Sequence, residues 1–255
     1  MSMDKIFKRS PLWQDKPSPY CPGCGHGIVH RLVCELLEEY KLSDHCVFMA
    51  PVGCSILAYT FLNLDVCQPA HGRTPAAATG VKRARPDTFV LSYQGDGDLA
   101  AIGTAEIIHA ANRGEHITTI FVNNAIYGMT GGQMAPTTLI GQKATTCPTG
   151  RSPEAGMGYP IHVCELLQSL GGVQYLARVS VHTAANVIKA KKAMKKAFDV
   201  QLNKQGFSLV EVLSPCPVNW GLTPKEALTF VDGNMVENYP LREFKVDGKI
   251  IMPAN

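Results

Sequence analysis

The chain has 255 residues, of which 45% are hydrophobic, and its formal net charge is +3 at pH 7. A chain of this length and composition can bury one large core without disulfides, and its charge is too small to indicate nucleic-acid binding. No stretch approaches the roughly 18 apolar residues that span a bilayer, and Met1–Lys8 has no apolar run behind it. We therefore expect a cytoplasmic protein made of one domain, residues 1–255, with no nucleic-acid or membrane partner.

Strand and helix patterns alternate along the chain. Short runs of apolar and β-branched residues predict strands, and longer amphipathic stretches predict helices. After a proline-rich arm, the predicted elements in chain order are helix 26–41, strand 46–52, helix 55–64, helix 75–84, strand 88–94, helix 99–112, strand 117–122, helix 162–170, strand 174–180, helix 184–203 and strand 207–213. This alternation is typical of an α/β fold in which helices cover both faces of a parallel sheet.

Two segments fall outside this alternation. The loop after strand 117–122 runs to about residue 158, which is too long for a simple connection and indicates a functional segment or an interface. The C-terminal extension, Phe230–Asn255, contains Pro240, Gly248 and Pro253 among short apolar pieces. We expect it either to wrap a neighbouring subunit or to fray.

The cysteines argue against a disulfide scaffold, because their number, nine, is odd. Cys21 and Cys24 form a CxxC turn that points two thiolates at one place. On its own this turn leaves zinc binding and thioredoxin-like redox chemistry both open. Cys54 and Cys216 each follow a predicted strand, so four thiolates can converge at one edge of the sheet. Cys46 is the main rival to Cys54, since it too begins a strand.

Two further motifs predict a magnesium diphosphate site. Gly95-Asp96-Gly97-Asp98 lies on a strand-to-helix turn, and Asn123-Asn124 follows the next strand, so both reach the carboxyl edge where such folds bind ligands. Asp96 offers a carboxylate and Asn124 an amide oxygen, which are ligands that Mg²⁺ prefers. The glycines let the backbone approach a phosphate. Either motif alone indicates only a turn or a polar loop; together they predict one shared ion.

These motifs resemble those of a known family. The GDG…NN arrangement resembles the thiamin diphosphate (TPP) motif, and the surrounding sequence is similar to the β subunit of a 2-oxoacid:ferredoxin oxidoreductase, on the 2-oxoisovalerate and 2-oxoglutarate branch. The resemblance covers most of the chain. The matching stretches are Cys21-Pro22-Gly23-Cys24-Gly25-His26-Gly27, Val52-Gly53-Cys54-Ser55, His71-Gly72-Arg73, Gly95-Asp96-Gly97-Asp98, the segment from Asn123 to Gln133, and Ser214-Pro215-Cys216-Pro217.

The resemblance implies the cofactor ligands. Magnesium is held by Asp96, Asn124 and the backbone carbonyl of Ile126. A [4Fe-4S] cluster next to the TPP has four thiolate ligands, as such clusters require. These ligands are Cys21, Cys24, Cys54 and Cys216, so the match favours Cys54 over Cys46. His71, the one residue given a catalytic role, lies by the diphosphate. The other residues implied to bind the cofactor are Gly53, Ser55, Gly95, Gly97, Asp98, Tyr127, Gly128, Met129 and Thr130.

Other cysteines and histidines are interpreted as structural. Cys34 lies on the apolar stripe of helix 26–41 and is expected to be a small core residue, as are Cys46 and Cys164. Isolated histidines are most often structural or exposed, so His71 is singled out and the remaining ones, such as His26, are not.

The implied activity is oxidative decarboxylation of a 2-oxoacid to acyl-CoA and CO₂. TPP forms a carbanion that attacks the 2-oxo carbonyl and holds the electrons released. A pure decarboxylase needs no iron, so the TPP motif and four cysteines in one chain favour electron transfer through the cluster to ferredoxin. TPP also needs a glutamate on its aminopyrimidine ring and a second domain. The expected partners are therefore an α subunit carrying that domain, γ and ferredoxin-like δ subunits, ferredoxin, coenzyme A and the 2-oxoacid.

Two other classes of protein stay open. One is a TPP-dependent decarboxylase or carboligase without redox function, in which the cysteines are incidental. The other is a zinc-stabilised nucleotide-binding module without catalysis. Iron, zinc and TPP analysis of anaerobically purified protein distinguishes the three.

The substrate is predicted from the segment Ser55-Ile56-Leu57-Ala58-Tyr59, which is uncharged. The resemblance suggests an arginine here in relatives that act on 2-oxoglutarate. A wall without a cation holds a second carboxylate poorly, because desolvating an unpaired charge costs several kcal/mol. The sequence therefore favours branched-chain 2-oxoacids such as 2-oxoisovalerate, with 2-oxoglutarate second and aryl or pyruvate substrates behind.

Overall fold

The computed structural model describes residues 8–253, so all but the last residue of the Met1–Lys8 segment lies outside it, as do the final two residues. The helices are α1 (His26–Glu39), α2 (Thr74–Ala84), α3 (Thr104–Asn112), α4 (Val163–Leu167), α5 (Ala184–Leu202), α6 (Pro217–Trp220), α7 (Pro224–Phe230) and α8 (Val236–Asn238). The strands are β1 (Cys46–Met49), β2 (Asp65–Cys67), β3 (Phe89–Gly95), β4 (Thr118–Asn123), β5 (Val173–Ser180), β6 (Phe207–Leu213), β7 (Arg242–Val246) and β8 (Lys249–Ile250). Shorter helical segments are a 3₁₀ helix, Cys54–Thr60, and two π-helical turns, Gly97–Ile102 and Val231–Met235.

The strands of the described chain form one sheet in the order β2-β1-β3-β4-β6-β5-β7-β8. The first six strands in this order are parallel, and β7 and β8 are antiparallel to their neighbours. Every residue of the central strands β4 and β6 is buried, as parallel strands between two helical layers require.

Helices cover both faces of this sheet. On one face, α1 and α5 pack residues such as Leu37 and Phe198 against Tyr93 of β3. On the other face, α2, α3 and α4 pack residues such as Ile107 and Leu167 against the opposite side of the same strands. The prediction of a parallel α/β fold is therefore confirmed. Within residues 8–253, no helix is both long enough and apolar enough to cross a membrane.

The strand register brings the predicted motifs to one edge of the sheet. Gly95 of β3 lies opposite Val122 of β4, and Asn123 of β4 lies opposite Leu213 of β6. The segments that follow these three strands therefore leave the sheet side by side, at the carboxyl edge where parallel sheets bind ligands. Strand β1 is the other neighbour of β3, and the chain after it reaches the same edge.

Several predicted element boundaries differ from the structure. Strand 46–52 ends at Met49, shortly before Pro51, which has no N–H for the sheet ladder. Helix 55–64 is a 3₁₀ helix that ends at Thr60, helix 162–170 is only the five-residue α4, and helix 99–112 becomes α-helical only at Thr104. Strand β2 was not predicted, because it has three residues and little burial.

The expectation that the C-terminal extension wraps a neighbour or frays is wrong for its described part. Helix α7 begins with a capping box in which Thr223 and Glu226 satisfy each other's backbone N–H groups. Strand β7 then pairs antiparallel with β5, and its Phe244 is fully buried. The extension therefore completes the sheet of its own chain.

Candidate active site

A cavity of about 190 Å³ opens at the carboxyl edge, where β1, β3 and β4 end. Every residue that the sequence implied to contact the cofactor lines this cavity, except Ile126, which lies just behind it. His26, Val52 and Ile102 also line it and were not singled out from the sequence. The structure thus brings the predicted residues together, and their individual roles stay predictions.

Three oxygen atoms converge at the wall of the cavity. The Asn124 side-chain oxygen lies 3.0 Å from Asp96 Oδ2 and 2.7 Å from the carbonyl oxygen of Ile126. No hydrogen bond can join three acceptors, so either the Asn124 amide turns to place its nitrogen there or a cation lies between them. A carboxylate, an amide oxygen and a backbone carbonyl are the oxygen donors that Mg²⁺ prefers. These residues, which we call the oxygen cluster, therefore fit the predicted ion.

Asp96 is 5% exposed, and neighbouring groups hold its carboxylate in place. Its Oδ1 accepts from the N–H of Gly97 (3.0 Å), and its Oδ2 accepts from the N–H of Ile126 and the hydroxyl of Thr137 (both 3.1 Å). Burial raises the pKa of the carboxyl to about 7, although these hydrogen bonds oppose the rise. A bound cation would favour the ionised form. Thr137 belongs to the long loop after β4, so this loop supports the site directly.

A buried polar network shapes the turn that carries Asn124. Asn123 donates to Glu211 (2.8 Å) and accepts from the N–H of Ala125 (3.0 Å), whose φ is +57°. That left-handed backbone is costly for alanine and needs outside support. Arg178 pairs with Glu211 at 2.8 Å, and both side chains are fully buried. Asn123 therefore positions the turn, and Asn124 faces the cavity.

Asp98 has a structural role in the fold, and its predicted contact with the cofactor stays a prediction. It lies at the cavity wall but is only 1% exposed. Its oxygens accept from five donors, which are the N–H groups of Val52 and Gly72, His71 Nδ1, Thr74 Oγ1 and Gln94 Nε2. With its hydrogen-bonding capacity filled, Asp98 anchors the loop that presents His71 to the cavity.

Two glycines permit close backbone packing beside the cavity. A Cβ at Gly97 would lie 3.1 Å from the ring of Tyr127. A Cβ at Gly103 would lie 2.5 Å from the carbonyl oxygens of both Asp98 and Gly72. The loop before α2 and the π-helical turn before α3 are therefore in direct backbone contact, which only a residue without a side chain allows at position 103.

Four thiols gather beside the cavity. The CxxC arm is tied to the chain after β6 by a hydrogen bond from the N–H of Gly25 to the carbonyl of Pro215 (3.3 Å). A Cβ at Gly128 would lie 3.2 Å from the sulfur of Cys54 and 3.7 Å from that of Cys216, so these two sulfurs border the same point. Cys46, the rival third ligand, begins β1 at the opposite edge of the sheet and is 2% exposed.

The electrostatics of the thiols reflect burial and mutual proximity. Burial raises the pKa of Cys24 to about 12 and that of Cys54 to about 11, and the neighbouring thiols add to both increases. Burial also raises the pKa of Cys216. Within residues 8–253, no three His, Cys, Asp or Glu side chains are close enough together to hold a single metal ion.

The substrate wall differs from the one expected. Of the segment 55–59, only Ser55 lines the cavity, and Tyr59 is 52% exposed. The apolar lining comes instead from Val52, Ile102 and Met129. Among the described residues that line the cavity there is no lysine, arginine or glutamate. Apart from Ser55, the predicted wall therefore does not form this lining, and the substrate preference drawn from it stays a prediction.

Comparisons with known proteins agree with the motifs. Residues 48–212 match the family model for the thiamine pyrophosphate enzyme C-terminal TPP-binding domain. The chain is 45% identical, over 96% of its length, to ketoisovalerate oxidoreductase subunit VorA of Methanothermobacter thermautotrophicus. It is 36% identical, over 94% of its length, to 2-oxoglutarate synthase subunit KorB of Methanocaldococcus jannaschii. The match covers 87% of that KorB but 51% of VorA, so this chain spans about half the length of its VorA relative.

A solved structure also resembles this chain. It is the 2-oxoglutarate:ferredoxin oxidoreductase from Magnetococcus marinus, with 2-oxoglutarate, coenzyme A and succinyl-CoA bound. The TM-score is 0.74 at 29% sequence identity, and the match covers 84% of this chain and 69% of that one.

Proposed function

Because this chain belongs to the family of 2-oxoacid:ferredoxin oxidoreductase subunits that carry the TPP-binding domain, we propose that it is the TPP-binding β subunit of such an enzyme. The reaction is the CoA-dependent oxidative decarboxylation of a 2-oxoacid to acyl-CoA and CO₂, with electrons passed to ferredoxin. One observation carries the proposal. The cavity that Asp96 and Asn124 line is also lined by Cys54, whose sulfur borders that of Cys216.

In this proposal the oxygen cluster would hold Mg²⁺, which would neutralise the charge of the TPP diphosphate. When bound, TPP supplies a carbanion that attacks the 2-oxo carbon and stores the electrons released with CO₂. The chain contributes Asp96, Asn124 and the carbonyl of Ile126 as ligands, and Gly97 lets the backbone approach the phosphates. His71, fixed by Asp98, presents its ring to the cavity beside them. We give His71 the role of binding the diphosphate.

The electron outlet in this proposal is a [4Fe-4S] cluster ligated by Cys21, Cys24, Cys54 and Cys216. Each of the four thiolates would ligate one iron atom of such a cluster. Burial and the neighbouring thiols raise the pKa values of Cys24 and Cys54 and so disfavour their thiolate forms. The positive charge of bound iron would stabilise these thiolates. Iron without stoichiometric zinc in anaerobically purified protein supports the cluster, and zinc alone supports the nucleotide-binding alternative.

The size of the cavity supports the need for a partner subunit. A volume of about 190 Å³ is below the range of roughly 300–1,000 Å³ found for complete small-molecule sites. No glutamate that could activate the aminopyrimidine ring lines the described part of the cavity. We therefore propose that an α subunit carries the other TPP domain. We also propose that γ and ferredoxin-like δ subunits complete larger assemblies and that the enzyme works in the cytoplasm.

The purified chain alone is expected to be inactive, and activity is expected only after addition of the subunit with the second TPP domain. The measurement is 2-oxoacid-dependent reduction of an artificial electron acceptor under anaerobic conditions, with TPP, Mg²⁺ and coenzyme A present. Reconstitution with the Asp96→Asn chain serves as the control for residual partner activity. Turnover by the wild-type chain alone would refute the half-site, and CO₂ release without acceptor reduction in the complex would support a non-redox decarboxylase.

The reconstituted enzyme is expected to prefer 2-oxoisovalerate over 2-oxoglutarate at least about tenfold in kcat/KM, equivalent to about 1.4 kcal/mol. The reason is the uncharged lining of Val52, Ile102 and Met129, which offers no partner for a second carboxylate. Met129→Arg should shift the ratio toward 2-oxoglutarate, and the uncharged Met129→Gln should not. A wild-type preference for 2-oxoglutarate would show that the partner subunit sets specificity.

A further inference from the structure

His26 is placed to act on whatever occupies the cavity. It is the first residue of α1, two positions after the CxxC turn, and its ring lines the cavity although the residue is only 2% exposed. Its Nδ1 lies 2.7 Å from the hydroxyl of Tyr93, and the ring stacks on Tyr20, the residue before Cys21. The ring is therefore held rigidly on the thiol side of the cavity.

The hydrogen bond to Tyr93 determines which ring nitrogen carries the proton. Among residues 8–253, the Tyr93 hydroxyl has no hydrogen-bond partner other than His26 Nδ1. A buried hydroxyl needs an acceptor for its proton, so the hydroxyl donates to Nδ1 and the ring proton lies on Nε2.

The Nε2–H of His26 is left for a ligand. It has no protein partner among the described residues, but it is not sealed from solvent. Nδ1 of the neighbouring His30 also has no partner, and that atom is sealed. His30 lies on the same helix, is fully buried and does not line the cavity. Of the two histidines, His26 is therefore the one that lines the cavity and has a free nitrogen that is not sealed.

We propose that His26 donates a hydrogen bond from Nε2 to an oxygen atom of the bound 2-oxoacid. This inference rests on the proposed function. The oxygen cluster and its cation account for the diphosphate, and neither lysine nor arginine lines the described cavity for the oxygens of the substrate. A ring N–H that is fixed by Tyr93 at the cavity wall meets that need. Tyr93 acts through His26 as a positioning residue, because its hydroxyl fixes the tautomer.

The test compares His26→Phe, which removes the donor, with His26→Gln, which retains an N–H at similar reach. His30→Phe is the matched control, as the same substitution at a buried histidine that does not line the cavity. Calorimetry on the reconstituted complex measures the dissociation constants of TPP and of an acylphosphonate, a 2-oxoacid analogue with phosphonate in place of the carboxylate. We expect His26→Phe to weaken acylphosphonate binding about tenfold with TPP affinity within twofold of wild type, and His26→Gln to restore most of the loss.

Two results would overturn the inference alone. One is unchanged acylphosphonate affinity in His26→Phe, and the other is an equal loss in His30→Phe, which would show a general effect of repacking α1. Thermal unfolding of each variant excludes loss of folded protein as the cause of weaker binding. A wild-type complex that binds TPP but neither binds the acylphosphonate nor turns over any 2-oxoacid would overturn the proposed function itself.

Discussion

Asp96→Asn is expected to weaken TPP binding in the presence of Mg²⁺ at least about tenfold, or about 1.4 kcal/mol. The substitution removes the negative charge from the oxygen cluster, where Asp96 Oδ2 lies 3.0 Å from the Asn124 side chain, and leaves an amide that binds Mg²⁺ more weakly. Asn124→Ala should act in the same direction, since it removes a second oxygen. Calorimetric titration of TPP at fixed Mg²⁺ measures both effects.

Two comparisons separate loss of the ion from loss of the fold. Chelating Mg²⁺ should bring the wild-type protein down to the affinity of Asp96→Asn and should hardly change the variant. Asp87→Asn alters an exposed carboxylate at the opposite edge of the sheet and should bind TPP as wild type does. Wild-type TPP affinity in Asp96→Asn would mean that the ion, if present, is held elsewhere.

Changing any one of the four proposed cluster ligands to serine is expected to remove or damage the [4Fe-4S] centre. The largest loss of iron is expected in Cys54→Ser and Cys216→Ser, whose sulfurs border the same point beside Gly128. A serine hydroxyl is a poor substitute for a thiolate ligand to iron. Iron content and the electron paramagnetic resonance signal of the reduced protein, purified without oxygen, provide the measurement.

The matched controls are Cys34→Ser and Cys46→Ser, which change buried thiols that do not line the cavity. Both should keep the full iron content, even if burial of a hydroxyl makes them less stable. A full four-iron signal in Cys54→Ser, or a loss of iron in Cys46→Ser, would contradict the proposed ligand set. TPP affinity is expected to survive in the Cys216→Ser variant, because this residue does not line the cavity.

The part of the site that could be predicted depends on local chain geometry. Asp96 and Asn124 follow strands that are adjacent in a parallel sheet, so the order of the motifs along the chain was enough to bring them together. Asp98 shows the limit of such reasoning. Its five donors come from three separate segments, and the sequence GDGD does not reveal that Asp98 accepts from all of them.

His26 was missed for a related reason. From the sequence it is one of eight histidines, on a helix whose apolar pattern indicates burial. Only the bond to Tyr93, 67 positions along the chain, shows that one of its nitrogens is occupied and the other reaches the cavity. Its position two residues after the CxxC turn was a usable signal, since the arm that carries two ligands has to pass the site.

The missed strand β7 illustrates the same limit at the level of the fold. Its sequence, Arg-Glu-Phe-Lys-Val, alternates poorly and carries charges that argue against a buried strand. In the structure the strand lies near the end of the sheet, where Glu243 meets Lys196 (2.7 Å) and Tyr175 (2.8 Å) and Lys245 reaches a backbone carbonyl (2.7 Å). Pairing with β5 thus satisfies these charges through groups that are remote in sequence, which a local pattern does not reveal.

The contact of Gly103 with the backbone of Gly72 and Asp98 also bears on how the cofactor enters. Since two walls of the cavity are joined at backbone level, they form one rigid unit that is complete before any ligand arrives. Those loops lose their conformational entropy during folding, so ordering them does not weaken the affinity for TPP. In the proposed complex, docking of the second TPP domain on the open side of the cavity would then be the step that shields the cofactor from water.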